Sequence, residues 1–168
     1  MRARCLIPLL TVLGWAVVAT PATAETAVAT SVPSWSAPLP GELQITRPFD
    51  PPSGAYAAGH RGVDLAGAPG SPVLAAGDGV VVFAGMVAGR PVVSIDHLNG
   101  LRTTYEPVVP SVAGGQPVAR GSPIGTLSGG HAGCPAEACL HWGLRRGGAY
   151  LDPLLLLRPP RVRLLPTG

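Results

Sequence analysis

Glycine and proline are so frequent in this chain that they leave no room for a long helix in its central part. The 168 residues include 23 glycines and 20 prolines, and no ten-residue stretch between positions 41 and 150 is free of both while showing a 3.6-residue apolar period. Short runs rich in β-branched and aromatic residues predict strands instead, at 43–46, 73–75, 79–84, 91–96, 101–105, 123–127 and 140–144. Asn99-Gly100 predicts a hairpin turn between two of them. We therefore expect an all-β fold, an antiparallel β-sandwich or barrel-like arrangement of short strands and glycine-rich loops.

The first 24 residues have the composition of an export signal. Two arginines precede a short apolar run over 6–19, and residues 22–24 read ATA, a small-x-small cleavage pattern. A membrane anchor is the alternative, but a span needs about 20 unbroken apolar residues, and Pro8 and Gly14 interrupt this run. We predict a signal peptide over 1–24, a secreted or extracytoplasmic location, and no stable membrane insertion after cleavage.

The charge balance of the remaining chain excludes an electrostatic nucleic-acid binder. Arg2 and Arg4 leave with the signal, so ten of the 12 basic residues remain against nine acidic ones, and the net charge is about +1. No stretch clusters arginine with aromatic residues, and lysine is absent from the sequence. Nucleic acid is therefore not expected as a partner.

The mature chain has the size of one domain, which we expect to be a monomer. Residues 25–41 are rich in Pro, Ala, Thr and Ser and predict a flexible leader, 42–157 the compact domain, and 158–168 a loose tail. Cys134 and Cys139 remain after signal removal, and an even pair of cysteines in an exported protein predicts one disulfide.

Two histidines and one aspartate form the candidate chemical site. His60 and Asp64 lie four residues apart in a glycine-rich segment, and His141 follows much later. Two imidazoles and a carboxylate are a ligand set that catalytic zinc uses, with the fourth position left for water. In an extended strand His60 and Asp64 would lie about 13 Å apart, so the chain must bend between them, and Gly62 is able to supply that bend.

Strand alternation places His141 away from the core. Along a strand over 140–144, His141 shares one side with Cys139 and Gly143. The opposite side is apolar and faces the core; it carries Leu140, Trp142 and Leu144. We therefore expect His141 to face a cleft.

These residues carry a resemblance to a known family. The segment 59–65 reads GHRGVDL and resembles the H-x-G-[IV]-D-[LF] signature of the lysostaphin-like (LytM-type) zinc metallopeptidases, and 140–144 reads LHWGL and resembles their H-L-H-[FW]-x-[IVL] strand. Residues 71–80, 95–105 and 112–127 resemble the intervening hairpins and glycine-spaced segment. The resemblance covers 43–154 and implies a duplicated hybrid motif, one zinc ion on His60, Asp64 and His141, and hydrolysis of peptidoglycan peptides at the cell wall.

The chain departs from that family at two assisting positions. The family's H-x-H histidine is replaced by Cys139, and the histidine expected just after Tyr105 is absent, because the chain continues with Glu106 and Pro107. Glu106 is a candidate general base; the alternative is a solvated or Arg-paired glutamate, with Arg102 as its partner. His131, in a glycine-rich loop, is the second candidate catalytic group.

Three further side chains have open assignments. Cys139 faces the metal side and is either half of the predicted disulfide or a fourth ligand that would close the site. Tyr105 is a core or cleft-wall aromatic or lines the substrate groove. For His97, which follows Asp96 at a hairpin end, we expect a surface or turn role.

Two functions follow from this pattern, and a third is excluded. The first is an exported zinc endopeptidase that cuts peptidoglycan cross-links. The second is a zinc-retaining, catalytically impaired peptidoglycan-binding or regulatory domain, since losing an acid–base group costs about 10²- to 10⁴-fold in rate. The glycine-spaced strands also resemble biotinyl or lipoyl carriers, but covalent attachment needs a lysine and the sequence has none.

Overall fold

The computed structural model describes residues 35–54 and 57–158 of the chain. The predicted signal peptide over 1–24 lies outside the described residues, as do most of the predicted leader and all of the predicted tail after Arg158. The described part contains eleven strands: β1 (Ile45–Arg47), β2 (Gly62–Gly67), β3 (Pro72–Leu74), β4 (Gly79–Val87), β5 (Arg90–Asp96), β6 (Leu101–Glu106), β7 (Val108–Pro110), β8 (Pro117–Val118), β9 (Pro123–Leu127), β10 (Ala138–Arg146) and β11 (Ala149–Leu151).

Helix is almost absent from these residues, as the density of glycine and proline predicts. The helical segments among them are short 3₁₀ turns at Leu98–Gly100 and Pro153–Leu157. Every strand pairing is antiparallel. No helix in the part of the chain that the structure describes is long and apolar enough to cross a membrane.

A large sheet carries most of the strands in the order β1-β2-β10-β6-β5-β4-β8. Its central strand is β10, which is nine residues long and is bordered by three others. On one side β10 pairs first with β2 and then with β11, and on the other side it pairs with β6. The center of the large sheet is therefore the place where β2, β10 and β6 lie side by side.

A smaller sheet of order β3-β9-β7 provides the second layer. One buried cluster combines large-sheet side chains such as Val63 and Trp142 with small-sheet side chains such as Val73, Ile124 and Leu127. The core therefore lies between the two sheets, and the predicted all-β sandwich is confirmed.

The seven predicted strands all exist, with ends shifted by no more than four residues, and the predicted hairpin at Asn99-Gly100 joins β5 to β6. Both turn residues adopt positive φ, 75° at Asn99 and 69° at Gly100, which explains why these two residue types stand there. Strand β2 is the important omission from the sequence-based prediction. Because β2 has a glycine at each end and lies beside a bend, its sequence indicated a loop.

The segment 35–41 corrects the predicted leader, which was expected to be flexible up to residue 41. Leu39 is buried in the core, and Trp35 packs against it. The backbone N–H of Ser36 donates to the carbonyl of Ala76 at 2.8 Å, and the N–H of Leu74 donates to the carbonyl of Pro38 at 2.9 Å. Two large apolar side chains in a proline-rich stretch are sufficient to anchor it.

Candidate metal centre

Two of the three predicted ligands are direct cross-strand neighbours. Asp64 in β2 lies opposite His141 in β10, so both side chains project from the same face of the large sheet. The core side of β10 is formed by Leu140, Trp142 and Leu144, which are at most 3% exposed, whereas His141 is partly exposed. The alternation predicted for this strand is confirmed.

The third ligand reaches the same point because the chain bends before β2. His60 forms an isolated bridge with Asp50, and the bend falls at Arg61. Gly62 does not supply the bend that was expected of it, since it already belongs to β2. A Cβ on Gly62 would lie 2.8 Å from Nε2 of His141 and 2.4 Å from the carbonyl oxygen of Trp142. Glycine is therefore needed there to leave room for the imidazole.

The three side chains converge on one small triangle of ligand atoms. Nε2 of His60 lies 3.0 Å from Oδ1 of Asp64 and 3.0 Å from Nδ1 of His141, and the latter two atoms are 2.9 Å apart. Ligands held about 2.0–2.1 Å from a tetrahedral zinc lie about 3.3–3.4 Å from one another. The observed triangle is close to that spacing, and the three residues form a group that could hold a metal ion.

The proton positions inferred for this triangle also favour a cation. Nδ1 of His60 lies 2.7 Å from the carbonyl oxygen of Pro48, which only accepts, so this nitrogen carries the proton and Nε2 presents a lone pair to the triangle. Burial alone would raise the pKa of the Asp64 carboxyl, but the hydrogen bond from His141 holds that pKa below its usual range. Lone pairs of two acceptors thus meet 3.0 Å apart, and a metal ion satisfies both. The donor set fits zinc.

Glu106 lies beside the triangle but is already engaged. It stands opposite His141 on β6, and its Oε1 accepts from Nε of Arg90 at 2.7 Å. The paired reading of this glutamate is therefore correct, but the partner is not the predicted Arg102, which binds Asp96 instead. Arg90 is the first residue of β5, and nothing in the sequence indicated that it lies next to the site.

His131 comes within reach of the centre from a loop that precedes β10. Its Nε2 lies 3.8 Å from Oδ1 of Asp64, and its ring stacks nearly parallel to that of His141, with 6.4 Å between the centroids. Its Nδ1 is buried and makes no hydrogen bond to the described part of the protein. The inward position of His131 thus places a third imidazole beside the two of the predicted ligands.

Cys139 is half of a disulfide with Cys134. This pairing rules out the alternative in which a thiolate of Cys139 serves as a fourth ligand. Cys139 is fully buried, and its sulfur lies 3.5 Å from Oγ1 of Thr46. The disulfide ties the loop that carries His131 to the strand that carries His141.

Burial excludes one of the alternatives predicted for Tyr105, a place in the substrate groove, and one of those predicted for His97, a place at the surface. Tyr105 is fully buried in the core, where its hydroxyl accepts from the backbone N–H of Ala76 at 2.9 Å and burial raises its pKa to about 12, so it cannot line a substrate groove. His97 does stand at the turn after β5 but not at the surface: it is 8% exposed and hydrogen-bonded through both ring nitrogens, to the carbonyl of Asp78 and to Oγ1 of Thr103.

A groove passes over the ligand triangle. One cleft of about 390 Å³ is lined by His60, His131, Glu106 and His141 together with Arg47 and Arg90. A second, of about 550 Å³, shares Glu106 and His141 and continues along β10 and β6. The centre therefore borders open space on both sides, as a site that admits an extended chain requires.

Comparison with known proteins agrees with this geometry. The family model described as Peptidase family M23 matches residues 58–153. "Uncharacterized protein Rv2891" of Mycobacterium tuberculosis is 55% identical over 135 residues, which is 78% of this chain and 54% of that protein. The "DD-carboxypeptidase/endopeptidase Mpg" of Neisseria meningitidis is 33% identical over 101 residues, 60% of this chain and 23% of that protein. The crystal structure of a zinc-containing peptidase from Vibrio cholerae superposes with a TM-score of 0.61 at 25% identity, over 76% of this chain and 40% of that one.

The fold and the ligand triangle define a metallopeptidase-type domain. The chain belongs to Peptidase family M23, and the predicted lysostaphin-like (LytM-type) family is confirmed. It spans about half the length of the mycobacterial proteins that it matches.

Proposed function

We propose that this protein is an exported zinc-dependent metalloendopeptidase that hydrolyses peptide cross-links of bacterial peptidoglycan. The observation that carries the proposal is the triangle of His60, Asp64 and His141 beside a groove, with ligand atoms 2.9–3.0 Å apart. Family membership and the peptidase names of the Neisseria and Vibrio proteins support it.

His60, Asp64 and His141 would hold the zinc, with His60 oriented by its hydrogen bond to Pro48. Zinc bound there would polarise the scissile carbonyl and lower the pKa of a bound water. The chain's own residues must then accept a proton from that water and donate one to the leaving amine. Neither of the family's two assisting histidines is present to do so.

His131 is the better placed of the two replacements. Its ring stands 6.4 Å from that of His141, which is comparable to the roughly 6.6 Å between same-face residues i and i+2 of a strand. His131 therefore stands about as far from His141 as a histidine at position 139 would. We assign it the proton-transfer role, through the Nε2 atom that lies 3.8 Å from Oδ1 of Asp64.

Glu106 is the second candidate. A carboxylate beside a zinc-bound water is a competent general base, but the ion pair with Arg90 already occupies one of its oxygens. We assign the Glu106–Arg90 pair to substrate positioning, because it forms one wall of the cleft that His131 also lines.

The test is digestion of purified peptidoglycan by zinc-loaded wild type, His131→Ala, Glu106→Gln and the exposed-loop control Glu137→Gln. We expect chelator-sensitive release of peptide products, a loss of about 10²- to 10⁴-fold for His131→Ala, a smaller loss for Glu106→Gln and none for Glu137→Gln. Metal analysis of each variant must show zinc at the wild-type level, so that a rate loss is not a metal loss. A larger loss for Glu106→Gln than for His131→Ala would reverse the two assignments.

The second candidate function is a zinc-retaining peptidoglycan-binding or regulatory domain with little turnover. The engaged states of the two replaced positions favour it, because Cys139 lies in a disulfide and Glu106 in an ion pair. Sedimentation with insoluble peptidoglycan, run beside the digestion, separates the two functions. Zinc-dependent binding without any released product would establish the second function and rule out the first.

A further inference from the structure

The groove continues beyond the metal centre along ladder rows of the large sheet. The row next to His141 pairs Gly143 with Thr104, and Thr104 with Ser94. The following row pairs Arg145 with Arg102, and Arg102 with Asp96. Because alternate residues share a face, Arg145 projects on the same side of the sheet as His141.

The second of these rows places two guanidinium groups opposite each other. Directly opposed like charges on neighbouring strands are destabilising. Asp96 accepts from Nε of Arg102 and from its Nη2, the latter at 2.7 Å, so this carboxylate binds Arg102 in bidentate fashion. The hydrogen bond from Arg102 is the main cause that lowers the pKa of the Asp96 carboxyl, and the charge of Arg145 is a smaller one. Arg145 itself forms no ion pair with any residue in 35–54 or 57–158. One positive charge is therefore left unbalanced at the edge of the groove.

We propose that Arg145 is the carboxylate-binding residue of a substrate subsite about 13 Å along the groove from the metal centre. The proposal rests on the proposed function, since it places the acidic group on the peptide that the centre would cut. The ligand class is a peptide with a carboxylate, from an acidic side chain or a free chain end.

The distance follows from the strand itself. Arg145 is four positions after His141 on β10, and a strand rises about 3.3 Å per residue. A peptide that lies extended along β10 therefore brings its third or fourth residue from the scissile bond to Arg145. The carboxylate is the expected group because a planar guanidinium binds it through two parallel hydrogen bonds.

The intervening floor suits an extended backbone. Gly143 has no side chain, and Ser94 and Thr104 are small residues whose hydroxyls lie 3.2 Å apart. These three residues line the same cleft of about 550 Å³ as Arg145 and His141. On β10, β6 and β5 this row therefore carries only small residues, whose hydroxyls can bond to a peptide backbone, while the larger side chains of Arg61, Phe83 and Tyr150 also line the cleft.

The test measures binding, not turnover, with peptides whose register is set by the metal. Fluorescein-labelled alanine/glycine peptides carry a C-terminal hydroxamate or, in a second series, an N-terminal reverse hydroxamate as the zinc-binding group. A single glutamate is moved from the first to the sixth residue, each peptide has a glutamine counterpart, and a third set ends in a free carboxylate at the fourth residue. Anisotropy titrations use zinc-loaded wild type, Arg145→Gln and the control Arg146→Gln.

Arg146 is the matched control because it is the next residue of β10 and projects from the other face, so its loss changes the net charge equally. In one series, wild type should bind the peptide with glutamate at the third or fourth residue about tenfold more tightly than its glutamine counterpart. Arg145→Gln should abolish this preference without weakening the glutamine peptides, and Arg146→Gln should retain it. Preference for the free chain end alone would assign the subsite to a terminal carboxylate.

Two results would overturn the proposal, and they are distinguishable. If wild type binds glutamate and glutamine peptides equally at every position, or if Arg145→Gln keeps the preference, the subsite is wrong while the zinc peptidase proposal stands. If zinc-loaded protein binds none of the hydroxamate peptides, the proposed function fails and the subsite fails with it.

Discussion

Two buried histidines, His97 and His60, differ in what their ring nitrogens meet. His97 is 8% exposed, and both its nitrogens are hydrogen-bonded to neutral protein groups. His60 is 5% exposed, but only its Nδ1 is bonded in this way, while its Nε2 faces the oxygen of Asp64 and the nitrogen of His141. Burial therefore does not separate a structural histidine from a metal ligand. The convergence of lone pairs on one point does.

The largest effect is expected from deleting one imidazole of the metal centre. His141→Ala removes one side of the ligand triangle, so zinc occupancy should fall to background and any peptidase activity by several orders of magnitude. The matched deletion His97→Ala should leave the zinc content unchanged. Metal analysis of both purified variants by mass spectrometry checks this, and equal zinc loss in both would end the distinction between the metal centre and the site of His97.

The second prediction concerns the free energy of unfolding, on which His97→Ala should have a larger effect than His141→Ala. His97→Ala removes the hydrogen bonds of the imidazole to the carbonyl of Asp78 and to the hydroxyl of Thr103, and it opens a gap beside Trp35, whose ring packs edge-on at 4.8 Å. We expect unfolding to become easier by about 2–4 kcal/mol. Urea denaturation of the metal-free proteins measures it; His141→Ala, which is partly exposed, should cost less under the same conditions.

The smallest effect is a difference in pH dependence. Burial lowers the pKa of His97, against the raising effects of the carbonyl of Asp78 and the charges of Asp96 and Asp78. The unfolded chain therefore takes up the proton first, near the ordinary value of about 6.5, and stability falls as the pH drops below that value, by at most about 1.4 kcal/mol per pH unit for this one group.

Asp64 also makes stability fall as the pH drops, but in a lower pH range than His97. Its pKa is held below 3.8, so its contribution to stability is complete above that value and is lost as the pH falls through the folded pKa.

The effect of His97 is measured between pH 7 and 5. Over this range the stability curves of the metal-free wild type and of His97→Asn should differ in slope, the variant being flatter. Parallel curves would show that His97 does not titrate on unfolding.

The strands and their faces were predictable because alternation is a local property. Leu140, Trp142 and Leu144 form one apolar side of the strand, so His141 had to face the other, and the same alternation carried four residues further leads to Arg145. Strand β2 was not predictable in this way. Its short glycine-bounded sequence becomes a strand only because β1 and β10 pair with its two edges.

Side-chain partners were predicted less well than the convergence of the candidate ligands. Glu106 was expected to be paired through Arg102, but Asp96 lies opposite Arg102 and takes it, which leaves Arg90 for the glutamate. The sequence left Tyr105 either in the core or at a groove, and His97 at a surface or in a turn. In the structure they are hydrogen-bonded to the same buried hydroxyl of Thr103.

The order of residue types along the chain determined by itself that it is a β-rich domain with a histidine–aspartate–histidine set of candidate ligands, since both conclusions rest on local period and on the chemistry of single side chains. Tertiary structure decided which of the other groups stand beside that set. His131 and Arg90 reach it through a loop fold and a strand register that no local pattern encodes, because contacts between residues tens of positions apart depend on how the sheets close around the core.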